Sequence, residues 1–359
     1  MDAPRALVAY AYRKGAAFER EKSMKAAVFK GLHQPLVVET LPDPEPGPLD
    51  VVIKVGSCGI CGSDLHITED PIFGVPAGVV LGHEYAGDVV EVGKDVTRIK
   101  VGDRLAAFPL QSCGKCGPCL SGQGAWCEQG MTVGGGGYGQ FSTVAEHQCV
   151  RMPAGVSLMD GALVEPLAVG LHAVNVSGLK SGARVLVIGA GPIGLAVVFW
   201  ARRMGAGRIA CTASSMRRAD LAMEMGASVF VPPSETQVED VKRALGGAPE
   251  IVFECVGMPG LIQRSVDHVI PRGTVVIAGL CTKPDAINPF WVVNKEVRLQ
   301  PSAFYDVRDF ETTLDVLDSG VLVPHAMITE EVSLAALPDA FEALKQRTHQ
   351  CKVMVNAWE

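Results

Sequence analysis

The fold of the second half of the chain is decided by the stretch Val185-Leu-Val-Ile-Gly189-Ala-Gly191-Pro-Ile-Gly194. A short apolar run leads directly into three spaced glycines, and the apolar residues then continue to Ala201. The first glycine permits a tight turn, the second lets a pyrophosphate approach the backbone, and the third lets a helix pack closely on the strand. The stretch therefore predicts a strand, a turn and a helix whose first amides bind a dinucleotide. The predicted contacts are Gly189, Gly191, Pro192, Ile193 and Gly194.

Outward from this stretch, short apolar runs alternate with segments of helical length. Near-continuous apolar strands separated by helices indicate a parallel sheet that is covered on both faces. The alternation predicts a doubly wound α/β domain at residues 175–310. Its six predicted strands are Val185–Ile188, Arg208–Thr212, Val229–Val231, Ile251–Glu254, Val275–Ala278 and Val297–Leu299.

The first half of the chain has a different pattern, with short β-branched runs that are broken by Gly and Pro. Runs such as Val51–Val55, Tyr85–Val92 and Phe141–Val144 predict a twisted, largely antiparallel β domain at residues 24–174. The tail, residues 311–359, ends in the strand-like run Lys352–Val355 and is expected to return to this domain. Residues 1–23 are predicted to be a disordered extension.

Composition limits the class of protein. The 359 residues are 48% hydrophobic and 20% charged, which is typical of a globular chain with two domains. A net charge of -7 argues against binding nucleic acid. The apolar run from Val185 to Ala201 contains glycines and a proline, so a strand, a turn and a helix explain it better than a membrane anchor.

Four cysteines with steps of three, three and eight residues, separated by glycines, predict a closed tetrahedral zinc site in a lobe at about residues 110–130. Disulfides and a nucleic-acid-binding zinc knuckle are the alternatives. The odd total of 11 cysteines argues against the first and the charge against the second. Thiolates that hold metal suit the reducing cytoplasm. The predicted ligands are Cys113, Cys116, Cys119 and Cys127.

The residues that follow the second predicted strand indicate whether NAD or NADP binds. An acidic residue usually accepts hydrogen bonds from the adenosine ribose of NAD there, but Ala213 occupies the position. Hydroxyl and guanidinium groups follow, and they suit a 2′-phosphate, so the sequence favours NADP over NAD. These groups belong to Ser214, Ser215, Arg217 and Arg218. The alternative is that the two arginines only begin a solvated helix.

Two further motifs complete the pattern. They are Gly56-Ser-Cys58-Gly-Ile-Cys61-Gly-Ser63-Asp64-Leu-His66 and Gly82-His83-Glu84-Tyr-Ala-Gly87. Together with the cysteine knuckle and the glycine fingerprint, they resemble the zinc-dependent medium-chain alcohol dehydrogenases from about Lys25 to the C-terminus. The resemblance implies a GroES-like catalytic domain and a Rossmann domain with two zinc ions per chain.

The resemblance also implies individual roles. Cys61 and His83 are expected to bind a catalytic zinc in the cleft between the domains. Glu165 takes the place of a second cysteine, as in the branch that includes sorbitol, butanediol and threonine dehydrogenases. Glu84 is expected either to ligate directly or to exchange with water, so the third ligand stays open. Ser63 and His66 would relay the proton of the alcohol to solvent, and Asp64 would orient a ligand histidine.

The same resemblance implies that the nicotinamide and the substrate lie against Ala278, Gly279, Leu280, Phe304 and Tyr305. Phe304 replaces an arginine of the sorbitol-using relatives, and apolar residues follow His66, namely Ile67, Ile72, Phe73 and Val75. An apolar pocket predicts a secondary alcohol or ketone instead of a polyol. The alternative is that these side chains fill the core or an interface.

Three other functions stay open at this level. They are an NAD-dependent polyol or butanediol dehydrogenase, a zinc-free quinone or enone reductase, and a non-catalytic scaffold. Relatives assemble as homodimers or homotetramers, which we adopt as the expectation.

Overall fold

The computed structural model describes residues 23–346 and 349–359. This part of the chain divides into two compact units. The first unit runs to Glu165 and also contains Asp306–Val321 and Ile328–Glu359, and the second contains Pro166–Tyr305 and Leu322–Met327. The extension predicted at residues 1–23 lies outside the described residues, except for Ser23, at which the first strand begins.

The described residues contain 17 strands. They are β1 Ser23–Val28, β2 Val37–Pro42, β3 Asp50–Gly59, β4 Glu84–Val92, β5 Arg104–Ala107, β6 Leu110–Gln111, β7 Thr132–Val133, β8 Phe141–Ala145, β9 Cys149–Arg151, β10 Arg184–Ile188, β11 Arg208–Thr212, β12 Val229–Val231, β13 Ile251–Glu254, β14 Thr274–Ile277, β15 Arg298–Pro301, β16 Ile328–Ser333 and β17 Lys352–Asn356.

The same residues contain ten α-helices and four short 3-10 turns. The helices are α1 Gly62–Glu69, α2 Gly117–Leu120, α3 Leu158–Ser177, α4 Pro192–Arg203, α5 Ala219–Glu224, α6 Gln237–Leu245, α7 Leu261–His268, α8 Pro289–Asn294, α9 Val307–Asp318 and α10 Leu337–Leu344. The 3-10 turns are Pro71–Phe73, Gly124–Trp126, Glu146–Gln148 and Val323–Met327.

The second unit is built on a six-stranded sheet in the order β12-β11-β10-β13-β14-β15, and all five pairings are parallel. The predicted doubly wound sheet is therefore confirmed, and each predicted strand overlaps an observed one. Apolar side chains of the strands and of the helices between them form its core, which includes Leu186, Ala210, Val241, Val252, Val266 and Val275. The strands read as near-continuous apolar runs because both faces of the sheet are covered.

The stretch that decides this unit folds as β10, a turn at the glycines and α4. Pro192 stands at the first position of the helix, where its fixed φ suits a helix and its missing N–H costs nothing. None of the helices in residues 23–346 and 349–359 combines the length and the apolar character that crossing a membrane requires.

The first unit contains a seven-stranded sheet in the order β16-β17-β3-β4-β5-β9, with β8 paired to β3. Every pairing in it is antiparallel except that of β16 with β17. The predicted antiparallel domain is confirmed in this sheet. The last strand of the chain, β17, pairs with β3, which carries a lysine from the C-terminus beside the motifs of the first half.

The unit boundaries lie at other residues than 174 and 310. The first boundary falls inside α3, because that one helix runs from Leu158 to Ser177. The second falls before Asp306, which caps α9 in a reciprocal capping box with Asp309 and so starts a new element.

His268 makes the second unit sensitive to acid. Its side chain is buried at the end of α7, and neither ring nitrogen has a hydrogen-bond partner among the described residues. Burial, with repulsion from Arg264, lowers the pKa of His268 to about 4. A histidine in an unfolded chain has a pKa of about 6.5, so below that pH the unfolded chain binds a proton here more readily than the folded protein. The free energy of unfolding therefore decreases as the pH falls from 6.5 to 4.

Between pH 7 and pH 4, His268 should account for about 3 kcal/mol of the decrease in the free energy of unfolding. We predict that this part of the decrease is absent in His268→Leu. Urea unfolding at a series of pH values measures it. An equal decrease in the His268 variant and the unchanged protein would show that this histidine does not titrate in that range.

Candidate functional site: two ligand clusters and a dinucleotide turn

The four cysteines of the knuckle converge. Their sulfur atoms all lie within 4.8 Å of one another. The separations are 3.8 Å for Cys113 to Cys119, 3.3 Å for Cys116 to Cys119 and 4.0 Å for Cys116 to Cys127. A tetrahedral zinc with bonds of about 2.3 Å spaces its sulfurs by about 3.8 Å. The cluster has the dimensions of a closed zinc site.

The alternative of disulfides does not fit these distances. A disulfide needs sulfurs at about 2.05 Å, and all 11 cysteines are free. Although desolvation opposes ionisation, hydrogen bonds from Ser112 and Cys116 lower the pKa of Cys119 to about 6. A thiolate is therefore available to a metal at neutral pH. The lobe is closed by the pairing of β6 with β7.

A second cluster gathers Cys61, His83 and Glu84, whose ligand atoms also lie within 4.8 Å of one another. Cys61 follows β3 and is the N-cap of α1, where the helix dipole favours negative charge. His83 immediately precedes β4 and Glu84 is the first residue of this strand, which pairs with β3. Two neighbouring strands thus bring residues of separate motifs to one place.

The buried carboxylate of Asp64 sits behind the histidine. Its Oδ1 lies 3.3 Å from His83 Nδ1, and its Oδ2 accepts a hydrogen bond of 2.6 Å from the Tyr138 hydroxyl. Burial alone would lower the pKa of His83, but the carboxylate of Asp64 and the sulfur of Cys61 raise it well above its usual range. The surroundings of this imidazole are therefore strongly favourable to positive charge.

Glu84 is held by a lysine from the C-terminal strand. Lys352 Nζ donates to Glu84 Oε1 at 2.7 Å and to Oε2 at 2.5 Å, and also to the carbonyl oxygen of Ile60 at 3.0 Å. Both side chains are 1% exposed. Burial alone would lower the pKa of Lys352, but the Glu84 carboxylate, with help from Cys61 and Glu165, raises it.

The other residues predicted for this site, Glu165, Ser63 and His66, differ in burial and in hydrogen bonding. Glu165 is buried in α3 and contributes charge at Lys352, yet it lies outside the group within 4.8 Å. The Ser63 hydroxyl donates to Cys61 Sγ at 3.2 Å. His66 is exposed on α1, and desolvation, opposed by Asp70, lowers its pKa.

The glycine fingerprint forms the turn between β10 and α4. Gly189 has a φ of +111°, and its amide donates to the Thr212 carbonyl at 2.7 Å. A Cβ on Gly194 would lie 1.9 Å from the Gly189 oxygen, so only glycine lets α4 start this close to β10. A Cβ on Gly191 would meet nothing nearer than 4.0 Å, which leaves its side open to a ligand. Pro192 and Ile193 follow as the first helical residues.

The residues after β11 lie beside this turn. Arg218 Nη1 donates to the Ala190 carbonyl at 3.1 Å, so its guanidinium is held at the glycine fingerprint. Ala213 and Ser215 are half-buried, whereas Ser214 and Arg217 are exposed. No carboxylate occurs between Thr212 and Arg218.

Ala278, Gly279 and Leu280 follow β14, so they lie at the same carboxyl edge of the parallel sheet. The amides of Ala278 and Gly279 donate to the Glu254 carbonyl at 2.9 Å. Phe304 follows β15 with a φ of +58° and is half-buried, while Tyr305 is buried. This is the edge at which ligands bind in open α/β sheets.

The apolar residues after His66 are mostly packing residues. Ile67 belongs to the core of the first unit, and Phe73 and Val75 pack against that core. Ile72 is the exception, because it is exposed. The alternative weighed in the sequence analysis, that such side chains fill the core, holds for the first three.

The sequence did not reveal two residues that bond to side chains in and behind the second cluster. They are Lys352, which donates to Glu84, and Tyr138, which donates to Asp64. The lysine at the start of the apolar run Lys352–Val355 could have indicated a buried ion pair, because a charged side chain in a central strand needs a buried partner. The run of four glycines before Tyr138 was a second signal, because it indicates close backbone packing.

Comparison with known proteins agrees with this geometry. The family profile described as alcohol dehydrogenase GroES-like domain matches residues 47–154, and that described as zinc-binding dehydrogenase matches residues 192–319. The (R,R)-butanediol dehydrogenase of Bacillus subtilis is 35% identical over 353 residues, which are 92% of this chain and 99% of that protein. The chain belongs to the zinc-dependent medium-chain alcohol dehydrogenase family.

Other relatives support the assignment. The sorbitol dehydrogenase of Bacillus subtilis is 31% identical over 345 residues, covering 93% of this chain and 97% of that protein. The crystal structure of 2R,3R-butanediol dehydrogenase from Bacillus subtilis is similar with a TM-score of 0.83 and 33% identity, over 93% of this chain and 99% of that one. A putative zinc-binding dehydrogenase from Sinorhizobium meliloti, bound to NADP, has a TM-score of 0.82 and 31% identity, with coverage of 93% and 99%.

The predicted family, fold class and enzyme class are thus confirmed. The chain is a zinc-dependent dehydrogenase that acts on CH–OH donors. The alternatives of a zinc-free reductase and of a non-catalytic scaffold do not fit this family.

The pairing of Lys352 with Glu84 should be essential to stability. We predict that Lys352→Met lowers the free energy of unfolding by about 3–5 kcal/mol, because it leaves the Glu84 carboxylate buried without its counter-ion. Urea unfolding at pH 7 measures the loss, and the double variant Lys352→Met/Glu84→Gln should recover part of it. Lys345→Met is the control, because it breaks two more exposed pairs, with Glu69 and with Glu342, each worth about 0–1 kcal/mol. Equal losses in the two single variants would contradict the prediction.

Proposed function

We propose that this dehydrogenase transfers hydride between a secondary alcohol or ketone and a nicotinamide dinucleotide, with NADP favoured over NAD. The convergence of Cys61, His83 and the Glu84 carboxylate within 4.8 Å carries the proposal, because it brings two metal-binding side chains and a negative charge to one place. We further propose that each chain holds two zinc ions, the second one bound by the four-cysteine cluster.

The donor set suits a catalytic zinc. A thiolate, an imidazole and one carboxylate are three protein ligands, which leave a fourth position open. A zinc ion bound there would supply Lewis-acid polarisation of the alcohol oxygen. Asp64 faces His83 Nδ1 and so directs the opposite ring nitrogen, Nε2, toward the cluster.

The identity of the carboxylate ligand rests on the lysine. Both oxygens of Glu84 accept hydrogen bonds from Lys352, so the negative charge of Glu84 is already balanced by a buried counter-ion. Glu165 is buried and near enough to affect the pKa of Lys352. We infer that Glu165 is the third ligand and that Glu84, neutralised by Lys352, sets the charge of the site.

The proton of the alcohol needs a route to solvent. The Ser63 hydroxyl donates to Cys61 Sγ, which leaves its oxygen lone pairs free to accept a proton. His66 follows on the same helix, is exposed, and has a lowered pKa, so it is neutral near pH 7 and able to accept a proton. These properties support the proposed relay from Ser63 to His66.

The preference for NADP rests on the residues after β11. A carboxylate that would accept hydrogen bonds from the ribose of NAD and repel a 2′-phosphate is absent between Thr212 and Arg218. Arg218 is anchored at the glycine fingerprint by its bond to Ala190, where it offers positive charge to the dinucleotide. Ser214, Ser215 and Arg217 add further donors.

We predict that Arg218→Ala raises the KM for NADP by about 10- to 100-fold and changes the KM for NAD little, because a charge-assisted hydrogen bond contributes about 1.5–3 kcal/mol. Initial rates with both cofactors at a fixed alcohol concentration measure it. Arg243→Ala removes an exposed guanidinium from α6 and is the matched control. An equal rise for both cofactors would mean that Arg218 supports only the turn.

The substrate class rests on polarity. Phe304 offers no hydrogen bond where sorbitol-using relatives have an arginine, and Ile72 is an exposed apolar side chain after α1. An apolar surface leaves the hydroxyls of a polyol unpaired, at about 1–3 kcal/mol for each group. The carbinol carbons of 2,3-butanediol are secondary, so the butanediol dehydrogenase relatives agree with the same substrate class.

We predict that kcat/KM with NADP is at least about tenfold higher for 2,3-butanediol, cyclohexanol or 1-phenylethanol than for sorbitol, since a single unpaired hydroxyl accounts for about that factor. A matrix of these four alcohols with NADP and NAD measures both preferences at once. Highest efficiency with sorbitol and NAD would instead establish the alternative, an NAD-dependent polyol dehydrogenase.

Two wider expectations stay predictions. Assembly as a homodimer or homotetramer is supported only by the family. A reducing cytoplasmic location is supported by the 11 free cysteines.

A further inference from the structure

The glycine run Gly134–Gly137 leads into Tyr138, whose side chain is completely buried. The Tyr138 hydroxyl donates to Asp64 Oδ2 at 2.6 Å, a length typical of an O–H donor on a charged carboxylate. The other oxygen of Asp64 faces His83 Nδ1 at 3.3 Å. A phenol, a carboxylate and an imidazole thus form a buried chain that ends at the metal-ligand cluster.

The backbone around Tyr138 fixes the position of its ring. The amide of Gly137 donates to the Gly82 carbonyl at 2.9 Å, and that of Tyr138 to the Leu81 carbonyl at 3.1 Å. Gly82 has a φ of +83°, and a Cβ there would lie 2.5 Å from the Tyr138 ring. The ring therefore lies directly against the residue that precedes His83.

The two oxygens of the buried Asp64 carboxylate are engaged differently. The phenol donates a hydrogen bond to Oδ2, which fixes the rotation of the side chain, while Oδ1 makes an ion-pair contact with His83 Nδ1 and has no hydrogen-bond partner among the described residues. With the phenol on Oδ2, Asp64 presents Oδ1 to the imidazole. That oxygen favours the tautomer with its proton on Nδ1, which leaves the lone pair of Nε2 free for a metal. The phenol is the outermost member of this chain.

We propose that Tyr138 is a positioning residue of the catalytic metal site, which acts through Asp64 to set the orientation and tautomer of His83. The proposal rests on the proposed function, because it requires a metal ion at Cys61 and His83. The Tyr138 hydroxyl would thus affect metal binding at His83 without contacting the metal ion.

A packing role alone would give another result. The Tyr138 ring packs edge to face on Phe341 with centroids 6.4 Å apart, and the ring alone could account for its burial. Tyr138→Phe keeps the ring and removes only the hydroxyl. Tyr85→Phe is the matched control, because the buried Tyr85 hydroxyl bonds to the neutral Ser142 hydroxyl at 2.9 Å and not to Asp64.

The experiment titrates the zinc-loaded full-length variants with a chromogenic chelator and follows the release of both ions. In Tyr138→Phe we expect the dissociation constant of the ion that Cys61→Ala removes to rise about tenfold, the lower end of the range for outer-shell partners. The second ion should not change, and neither ion should change in Tyr85→Phe. Cobalt-substituted Tyr138→Phe should also show a shifted visible spectrum.

A double-variant cycle checks that the effect passes through Asp64. In an Asp64→Asn background, adding Tyr138→Phe should change the dissociation constant less than twofold, because the link is already broken. An independent tenfold effect there would overturn the proposal, as would unchanged zinc release in the single Tyr138→Phe variant. If the unchanged protein holds a single zinc that Cys61→Ala does not remove, the proposed function itself fails, and that result is distinct from the others.

Discussion

Buried charge has to be paired, and the cluster around Cys61 and His83 packs several ionisable side chains where water is excluded. Asp64 is paired with His83 and Tyr138, and Glu84 is paired with Lys352. The partners come from distant parts of the chain, so the antiparallel sheet must be complete before these charges are compensated. The architecture of the first unit is therefore tied to the electrostatics of this ligand cluster.

The C-terminal strand shows this dependence most clearly. Strand β17 pairs with β3, and this places Lys352 against a glutamate 268 positions earlier in the chain. Strand β17 thus extends the sheet and also supplies the positive charge that compensates the Glu84 carboxylate. The return of the tail to the first unit thus serves the site as well as the fold.

The second unit could be predicted almost completely from the sequence, because parallel strands buried on both faces leave uninterrupted apolar runs. The strands Arg208–Thr212, Val229–Val231 and Ile251–Glu254 have the predicted bounds. The unit boundary at Glu165 could not be predicted in this way, since α3 gives no signal at a point in its interior. Lys352 and Tyr138 were missed because their partners are far apart in sequence, and the hydrophobic pattern does not record such contacts. The sequence left open whether Ile67 lines a pocket or fills the core, since such residues look alike in a sequence, and the structure places it in the core of the first unit.

The central claim is that two zinc ions bind each chain, one of them at Cys61 and His83. Anomalous scattering from crystals of the zinc-loaded protein, recorded on both sides of the zinc absorption edge, tests it most directly. The account predicts two peaks per chain, one among the four cysteine sulfurs and one at about 2.0–2.3 Å from Cys61 Sγ and His83 Nε2. A single peak at the four cysteines, in crystals of fully active protein, would contradict it.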